Sequence, residues 1–306
     1  MVDNPRYVFC RPRGGFNDNL NQLQICADYC KKYDRTLIIS EKWGSFFNWS
    51  TCLTIPHPTQ LPESSVNYLK FTTELDAELA ALSCYTAGPP VKWCEHDIKK
   101  LLAVDKDLLT RKHTINPPAI TFDMSQDYTE NILVYTQSGG GPRSHTAIKN
   151  FKAVPELATK LHDLREKHPD YISVHVRNTD YVSNYSCFLE EIKEKHPTDS
   201  ILLCTDDYNC HQAALDIFGN SLFFVSSIPQ NKEGCGIHYY TAWDYGELEA
   251  STLIDLLMLG HGRIFYKCPI AGTYSKSDKY CPTFSGFSNL AEYLNKNKQV
   301  LLALTS

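Results

Sequence analysis

The sequence lacks any apolar run long enough to cross a membrane, and it lacks an excess of basic charge. Its 306 residues carry 30 Lys and Arg against 35 Asp and Glu, which gives a formal charge of −5 at pH 7. Nucleic-acid binding draws its affinity from clustered positive charge, so this balance argues against a nucleic-acid partner. The N-terminus also has no uninterrupted apolar segment of the kind found in secretory signals. The sequence therefore predicts a cytoplasmic protein without a membrane span.

No Cys-X-X-Cys pair occurs, although the chain contains 12 cysteines. A chain of this size buries a core without disulfides, and many of the cysteines lie in apolar segments where a thiol packs as a small hydrophobic group. We therefore expect mostly reduced thiols and no bound metal. A metal site is the alternative interpretation, because five side chains carry suitable ligand atoms: Cys204, Cys210, His211, Cys235 and His238.

Two glycine patterns that bind nucleotide phosphates are absent as well. A nicotinamide dehydrogenase needs Gly-X-Gly-X-X-Gly after its first strand, and the chain has GGFNDN there. The glycine run within Ser138–His145 fits neither that spacing nor the spacing of a P-loop. We interpret this run as a link between domains, with a phosphate cradle as the alternative.

What the sequence does contain is an alternation of strand-like and helix-like segments in two halves. In the first half, the apolar β-branched runs Arg6–Cys10, Thr36–Ser40 and Ile132–Thr136 predict strands. An amphipathic pattern predicts a helix over Asn17–Tyr33. The segment from Trp43 to Pro118 has weak periodicity, which is typical of short helices and long loops.

The second half predicts a parallel α/β sheet, because strands alternate there with helices of ten or more residues. Ligands of such sheets bind at the carboxyl ends of the strands. The predicted strands are Ile172–Val176, Ser200–Thr205, Ser221–Val225 and Arg263–Lys267. The predicted helices are Pro155–Lys167, Cys187–Lys195, Tyr208–Phe218, Gly246–Leu259 and Leu290–Lys296.

Polar side chains follow two of these strands at the point where each strand ends. His175 and Arg177 lie on the polar face of one strand, with Asp180 soon after, and Asp206 follows the next strand. An arginine at a strand end, beside hydroxyl groups and glycine amides, suits phosphate oxygens. The alternative is that Arg177 pairs with Asp180 or Asp206 in a structural network. Together, at successive strand ends, these residues favour a binding site.

The order of four motifs resembles the fucosyltransferase superfamily, which includes the bacterial nodulation, α1,6-, α1,2- and protein O-fucosyltransferases. The motifs are GGFNDNLNQL, HVRNTD, LLCTDD and LIDLLMLGHGRIFYKCPIAGTYS. The resemblance implies an α/β GT-B fold, in which two Rossmann-like domains with parallel sheets face a central cleft. It implies an acceptor-side domain at 1–145 and a nucleotide-sugar domain at 146–286. A C-terminal helix at 287–306 would follow, with packing against the first domain as one option.

The function that this resemblance implies is inverting, metal-independent glycosyl transfer. The sugar, fucose or a relative, would move from a nucleotide diphosphate to a hydroxyl of a glycan or glycoconjugate. No cofactor is implied beyond the GDP- or UDP-linked sugar itself. In the family, an arginine matching Arg177 binds the donor, and an acid matching Asp255 reads the guanine edge. The implied donor residues are Gly14, Gly15, Phe16, Asn17, His175, Arg177, Asp206, Asp255, Gly272, Thr273 and Ser275.

The catalytic residues implied are Arg177, which would stabilise charge on the leaving phosphate, and a proton acceptor. Asp18 and Asp180 are the candidates for that acceptor, and capping of a helix is the alternative role of Asp18. Asn178 stands where close family members carry a second arginine, and Gly14 stands where one branch carries a glutamate base. A UDP-sugar such as UDP-xylose is therefore an alternative donor. A nucleotide- or carbohydrate-binding module without turnover is the alternative of another class.

Overall fold

A computed structural model describes residues 7–10, 12, 14–39, 52–54, 68–69, 124–127, 132–135, 140–228, 245–273 and 282–306. The chain divides into two compact units, Met1–Ser50 with Ile55–Phe151 and Thr51–Thr54 with Lys152–Ser306. In the part of the chain that the model describes, no helix has the length and hydropathy to cross a membrane. The predicted loop-rich segment from Trp43 to Pro118 lies outside the described residues, except for 52–54 and 68–69.

Strands and helices alternate along the chain. The strands are β1 (Tyr7–Cys10), β2 (Thr36–Ile39), β3 (Leu53–Thr54), β4 (Tyr68–Leu69), β5 (Ile132–Tyr135), β6 (Lys152–Ala153), β7 (Ile172–Val176), β8 (Tyr181–Ser183), β9 (Ile201–Thr205), β10 (Leu222–Phe223), β11 (Ile264–Lys267) and β12 (Ile270–Thr273). The helices are α1 (Phe16–Tyr33), α2 (Ser144–Ala147), α3 (Pro155–Lys167), α4 (Tyr185–Lys195), α5 (Tyr208–Phe218), α6 (Tyr245–His261), α7 (Gly286–Lys296) and α8 (Lys298–Thr305).

The first unit is built on a parallel sheet with the strand order β4-β2-β1-β5. Its predicted strands and its predicted helix are confirmed, and their observed ends differ from the predicted ends by at most one residue. Leu20, Leu23 and Ala27 of α1 are buried, as the amphipathic pattern predicts. The helix also buries five amide side chains: Asn17, Asn19, Asn21, Gln22 and Gln24.

The second unit is built on a parallel sheet with the order β10-β9-β7-β11. On one face, Ile172, Val174 and Val176 of β7 pack in a core with side chains of α4 and α5. On the other face, Ser173 donates a hydrogen bond to the carbonyl of Leu259 in α6, at 2.9 Å. The predicted division of β7 into an apolar and a polar face is confirmed, and the polar face carries the candidate site.

The features of the second unit that are absent from the sequence prediction include a pair of short strands and the last helix. β8 and β12 form an antiparallel pair in which Thr273 lies opposite Tyr181 and Gly272 lies opposite Val182. This pair connects the turn after β7 with the segment after β11. Helix α8 follows α7 directly at the end of the chain.

The glycine run predicted to link the domains has its described part packed against α1, within the first unit. A Cβ atom added to Gly141 would lie 2.6 Å from Oδ1 of Asn21. Ser144, at the start of α2, donates a hydrogen bond to Oδ1 of Asn17 at 2.7 Å. The missing side chains allow this close approach, and the two units divide between Phe151 and Lys152. The domain boundaries implied by the family resemblance stay predictions.

Candidate functional site

The glycine loop and the start of α1 carry the predicted residues of the first unit. Gly14 and Gly15 precede the helix, and Phe16, Asn17 and Asp18 form its first turn. The backbone N–H of Gly15 donates a hydrogen bond to Oδ2 of Asp18 at 3.2 Å, which is half of a capping box. Asp18 therefore has the capping role that the sequence left as an alternative. Its role as a proton acceptor stays a prediction.

Replacing Gly14 with Ala is expected to lower the free energy of unfolding by about 1–2 kcal/mol. Gly14 has a φ of +97°, and an added Cβ would lie 2.5 Å from Oδ2 of Asp18. Gly15→Ala is the matched control, because Gly15 has a φ of −74° and no atom of the described residues lies within 4 Å of an added Cβ. Urea denaturation of both variants measures the difference. Equal losses in the two variants would contradict this account of the loop.

Arg177 is the centre of the candidate site in the second unit. The register of the sheet places Val176 opposite Thr205, so the next residues, Arg177 and Asp206, emerge side by side from β7 and β9. Nη1 of Arg177 lies 2.6 Å from Oδ2 of Asp206, and Nε lies 2.8 Å from Oδ1 of Asp180. The Arg177 side chain is 23% exposed. Arg177 therefore pairs with both Asp180 and Asp206, the two partners considered in the alternative that these residues form a structural network.

The turn after β7 holds the Asp206 carboxylate in place with further hydrogen bonds. Thr179 Oγ1 donates to Oδ2 of Asp206 at 2.6 Å, and the backbone N–H of Asn178 donates to Oδ1 at 2.9 Å. The Asn178 side chain is fully engaged: its Nδ2 donates to Asp207 at 2.6 Å, and its Oδ1 accepts from the N–H of Ser183 at 2.8 Å. Asn178 therefore organises the turn and adds no positive charge to it.

The formal charge of this region is negative, because Asp180 and Asp206 contact the guanidinium of Arg177 and Asp207 lies one residue beyond Asp206. Burial acts to lower the pKa of Arg177, but the carboxylates of Asp206 and Asp180 more than offset it and raise that pKa, so the guanidinium keeps its charge. Asp207 adds a third carboxylate, which accepts from the N–H of Asn209 and caps α5. An anionic ligand must therefore compete with carboxylates for Arg177.

His175 is a buried neutral base in contact with the start of α7. Its Nδ1 lies 2.6 Å from Oγ of Ser288, and its ring lies 5.0 Å from the ring of Phe287. Burial, together with the charge of Arg177, lowers the pKa of His175 to about 3. Oγ of Ser285 accepts from the N–H of Ser288 at 3.0 Å and caps the helix. The N-terminus of α7 therefore begins beside the carboxyl end of β7.

Asp255 lies in α6 beside the carboxyl end of β9. Ser226 Oγ is 2.8 Å from both carboxylate oxygens of Asp255, and Sγ of Cys204 is 4.0 Å from its backbone carbonyl. Burial raises the pKa of Asp255 to about 7, although the Ser226 hydroxyl acts in the opposite direction. This carboxylate is thus poised to change its charge near neutral pH.

Gly272 and Thr273 lie in β12, opposite β8 and therefore next to the turn that holds Arg177. Among the described residues, no atom lies within 4 Å of a Cβ added to Gly272. Ser275, the third predicted residue of this loop, lies outside the described residues.

The structure thus brings together Arg177, Asp180 and Asp206. His175 lies two residues before Arg177, within β7. Sequence reasoning missed Ser288, which contacts His175, Ser285, which caps the helix of Ser288, and Ser226, which contacts Asp255. One local signal marks one of them, because a serine before an apolar helical pattern, as in TFSGFSNL, is a typical helix cap.

The alternative metal site receives no support from the described residues. Among them, no group of three or more His, Cys, Asp or Glu side chains is arranged to hold a metal ion. Cys204 is buried in β9, and the ring of His211 stacks on Phe224 with centroids 3.7 Å apart. Cys235 and His238 lie outside the described residues.

Comparison with known proteins shows similarity at the level of structure. No family model and no curated protein matches the sequence. The chain resembles the NodZ α-1,6-fucosyltransferase soaked with GDP-fucose, at 19% identity and a TM-score of 0.56, over 95% of this chain and 92% of that chain. It resembles the fucosyltransferase NodZ from Bradyrhizobium at 18% identity and a TM-score of 0.53, over 94% and 91% of the two chains. For POFUT1 in complex with GDP, the identity is 11% and the TM-score 0.51, over 97% and 96%.

These similarities extend over nearly the whole length of each chain. The resemblance inferred from the four motifs is therefore confirmed at the level of the fold, as is the prediction of two Rossmann-like units. The chain has the GT-B fold of the fucosyltransferases.

Proposed function

We propose that the protein is a metal-independent, inverting glycosyltransferase that transfers fucose from GDP-fucose to a hydroxyl of a glycan or glycoconjugate. The observation that carries the proposal is the position of Arg177. It emerges with His175 and the start of α7 at the carboxyl edge of a parallel sheet, where ligands of such sheets bind. The fold supports it, because two solved structures of that fold were determined with GDP-fucose or GDP.

The donor diphosphate binds Arg177 and the first-turn amides of α7 in this proposal. The first N–H groups of a helix have no backbone partner within the helix, and its dipole favours an anion there. The Ser285 cap already accepts from the N–H of Ser288, so the N–H groups of Gly286 and Phe287 are the ones proposed to bind the diphosphate. The backbone at Gly272, with Thr273 and Ser275, completes the phosphate site of this proposal. Asp206 contacts Arg177 and acts through it as a positioning residue.

Asp255 would select the base. A carboxylate accepts two parallel hydrogen bonds from the N1–H and N2–H groups of guanine, whereas uracil offers a single N–H group. GDP is therefore the preferred nucleotide of this proposal, and a UDP-sugar is the alternative donor. The Gly14, Gly15, Phe16 and Asn17 loop of the first unit is the remaining part of the proposed donor site.

The reaction forms a bond between the acceptor oxygen and the anomeric carbon while the bond from that carbon to the phosphate oxygen breaks. The electron pair of the broken bond leaves with GDP, and Arg177 stabilises the charge that develops there. The proton of the acceptor hydroxyl passes to a carboxylate, for which Asp180 and Asp18 are the candidates. The chemistry requires no metal if Arg177 and α7 carry the phosphate charge.

Nucleotide binding tests this proposal directly. We expect GDP and GDP-fucose to raise the unfolding temperature, and UDP and UDP-xylose to raise it less, with and without EDTA. A ligand at a hundred times its Kd adds about 2.7 kcal/mol to the free energy of unfolding, which a thermal scan detects. A shift that disappears with EDTA would contradict metal independence. A shift with UDP alone would replace the donor, and no shift with any nucleotide would overturn the proposal.

A nucleotide-binding module without turnover is the second candidate. It is favoured by the capping role of Asp18 and by the two carboxylates on Arg177, because both candidate proton acceptors already have structural partners. Measuring the release of GDP from GDP-fucose distinguishes a glycosyltransferase from a binding module. A protein that binds GDP-fucose and never releases free GDP, with water or any glycan as acceptor, would be a binding module.

A further inference from the structure

Arg177 offers a phosphate a free two-pronged edge only if one of its own carboxylate partners gives way. A guanidinium binds a phosphate best along an edge that offers two parallel N–H groups, and one such edge joins Nε and Nη2. Asp180 occupies Nε of that edge at 2.8 Å, while Asp206 is on Nη1 at 2.6 Å. The two-pronged edge is therefore blocked at one end by Asp180.

The two carboxylates differ in how easily they leave. The Asp206 side chain is 10% exposed and receives hydrogen bonds from Thr179 and from the backbone of Asn178. Moving it away from Arg177 would leave a buried charge without its partner, which is strongly unfavourable. The Asp180 side chain is 41% exposed, so water can replace the guanidinium as its partner. Asp180 is the carboxylate that gives way.

We propose that Asp180 is a displaceable placeholder for the donor diphosphate, which takes its position on Nε of Arg177. This inference rests on the proposed function and adds a coupling to it. Donor binding and release of the Asp180 carboxylate are one event, so a carboxylate without its guanidinium partner exists beside the leaving group only when the donor is bound. In the protein without donor, the contact with Asp180 keeps the guanidinium of Arg177 oriented.

A double-mutant cycle on GDP affinity tests the placeholder. We expect Asp180→Asn to lower the Kd for GDP about three- to tenfold, because a competing anion is removed from Arg177. In an Arg177→Gln background, the same substitution should leave the Kd unchanged within about twofold, because there is no guanidinium left to compete for. Simple relief of charge repulsion would instead lower the Kd in both backgrounds.

Asp170→Asn is the matched control for the change in net charge. Asp170 pairs with Nε of Arg263 at 3.1 Å and is 66% exposed, but it precedes β7 at the opposite edge of the sheet. The affinity of the Asp170→Asn variant for GDP should equal that of the wild type. An Asp180→Asn Kd that is unchanged or higher than that of the wild type, or a decrease that persists without Arg177, would overturn the placeholder while GDP binding by the wild type stands. If the wild type binds no GDP, the proposed function fails, and the placeholder with it.

Discussion

Replacing Arg177 with Gln is expected to slow the release of GDP from GDP-fucose about a hundredfold. Arg177 would stabilise the charge that builds on the leaving diphosphate, and loss of one such preorganised donor raises a barrier by about 3 kcal/mol. Single-turnover release of GDP, with saturating enzyme, measures the chemical step separately from donor affinity. Arg177→Lys should recover only part of the loss, because an ammonium keeps the charge without the planar fork.

The control for this experiment must also remove the Asp206 carboxylate, because the Arg177 substitution leaves it without its guanidinium partner. Asp206 is buried, and loss of its guanidinium partner alone is expected to lower the free energy of unfolding by about 3 kcal/mol. The double variant Arg177→Gln with Asp206→Asn replaces the ion pair by two neutral amides and should recover most of that stability. A folded double variant that releases GDP at the wild-type rate would show that Arg177 does not act on the leaving phosphate.

The elements of the second unit follow from local sequence patterns. The bounds predicted for β7, α3 and α5 coincide with those observed, because β-branched alternation and helical periodicity are each complete within about a dozen residues. The β8–β12 pair could not be predicted in this way. Its strands are three and four residues long, and the residues that pair are about ninety positions apart in the sequence.

The site could be predicted in position but not in its contacts. Side chains that follow adjacent parallel strands must lie close together, so the proximity of Arg177 and Asp206 is expected if the two successive predicted strands are neighbours, as β7 and β9 are. The hydroxyl partners of the site arise from tertiary packing instead. Ser288 meets His175 because α7 packs at the end of β7, and Ser226 meets Asp255 because α6 lies over β9. The glycine run differs from the predicted link between domains for a similar reason. It packs against α1, a helix more than a hundred residues earlier in the sequence.

Affinity for GDP-fucose is expected to rise with pH up to about pH 7 and then to level off. Asp255 has its pKa raised to about 7 by burial, and only the ionised carboxylate accepts both guanine N–H groups. Below that pH the group must first lose its proton, so each unit of lower pH costs about 1.4 kcal/mol, or about tenfold in Kd. GDP-fucose is the right probe because its doubly esterified diphosphate does not titrate near neutral pH, unlike the terminal phosphate of GDP.

Asp255→Asn should lower the affinity for GDP-fucose about ten- to a hundredfold at about pH 8, since hydrogen bonds to a charged group contribute about 1.5–3 kcal/mol. The variant should also lose the pH dependence, so that its Kd approaches that of the wild type at about pH 5.5. Ser226→Ala refines the test: the Ser226 hydroxyl lowers the pKa of Asp255, so its removal should move the wild-type profile to higher pH. Titration calorimetry across this range gives all three curves. A profile that is the same in the wild type and in Asp255→Asn would mean that another group titrates and that Asp255 does not read the base.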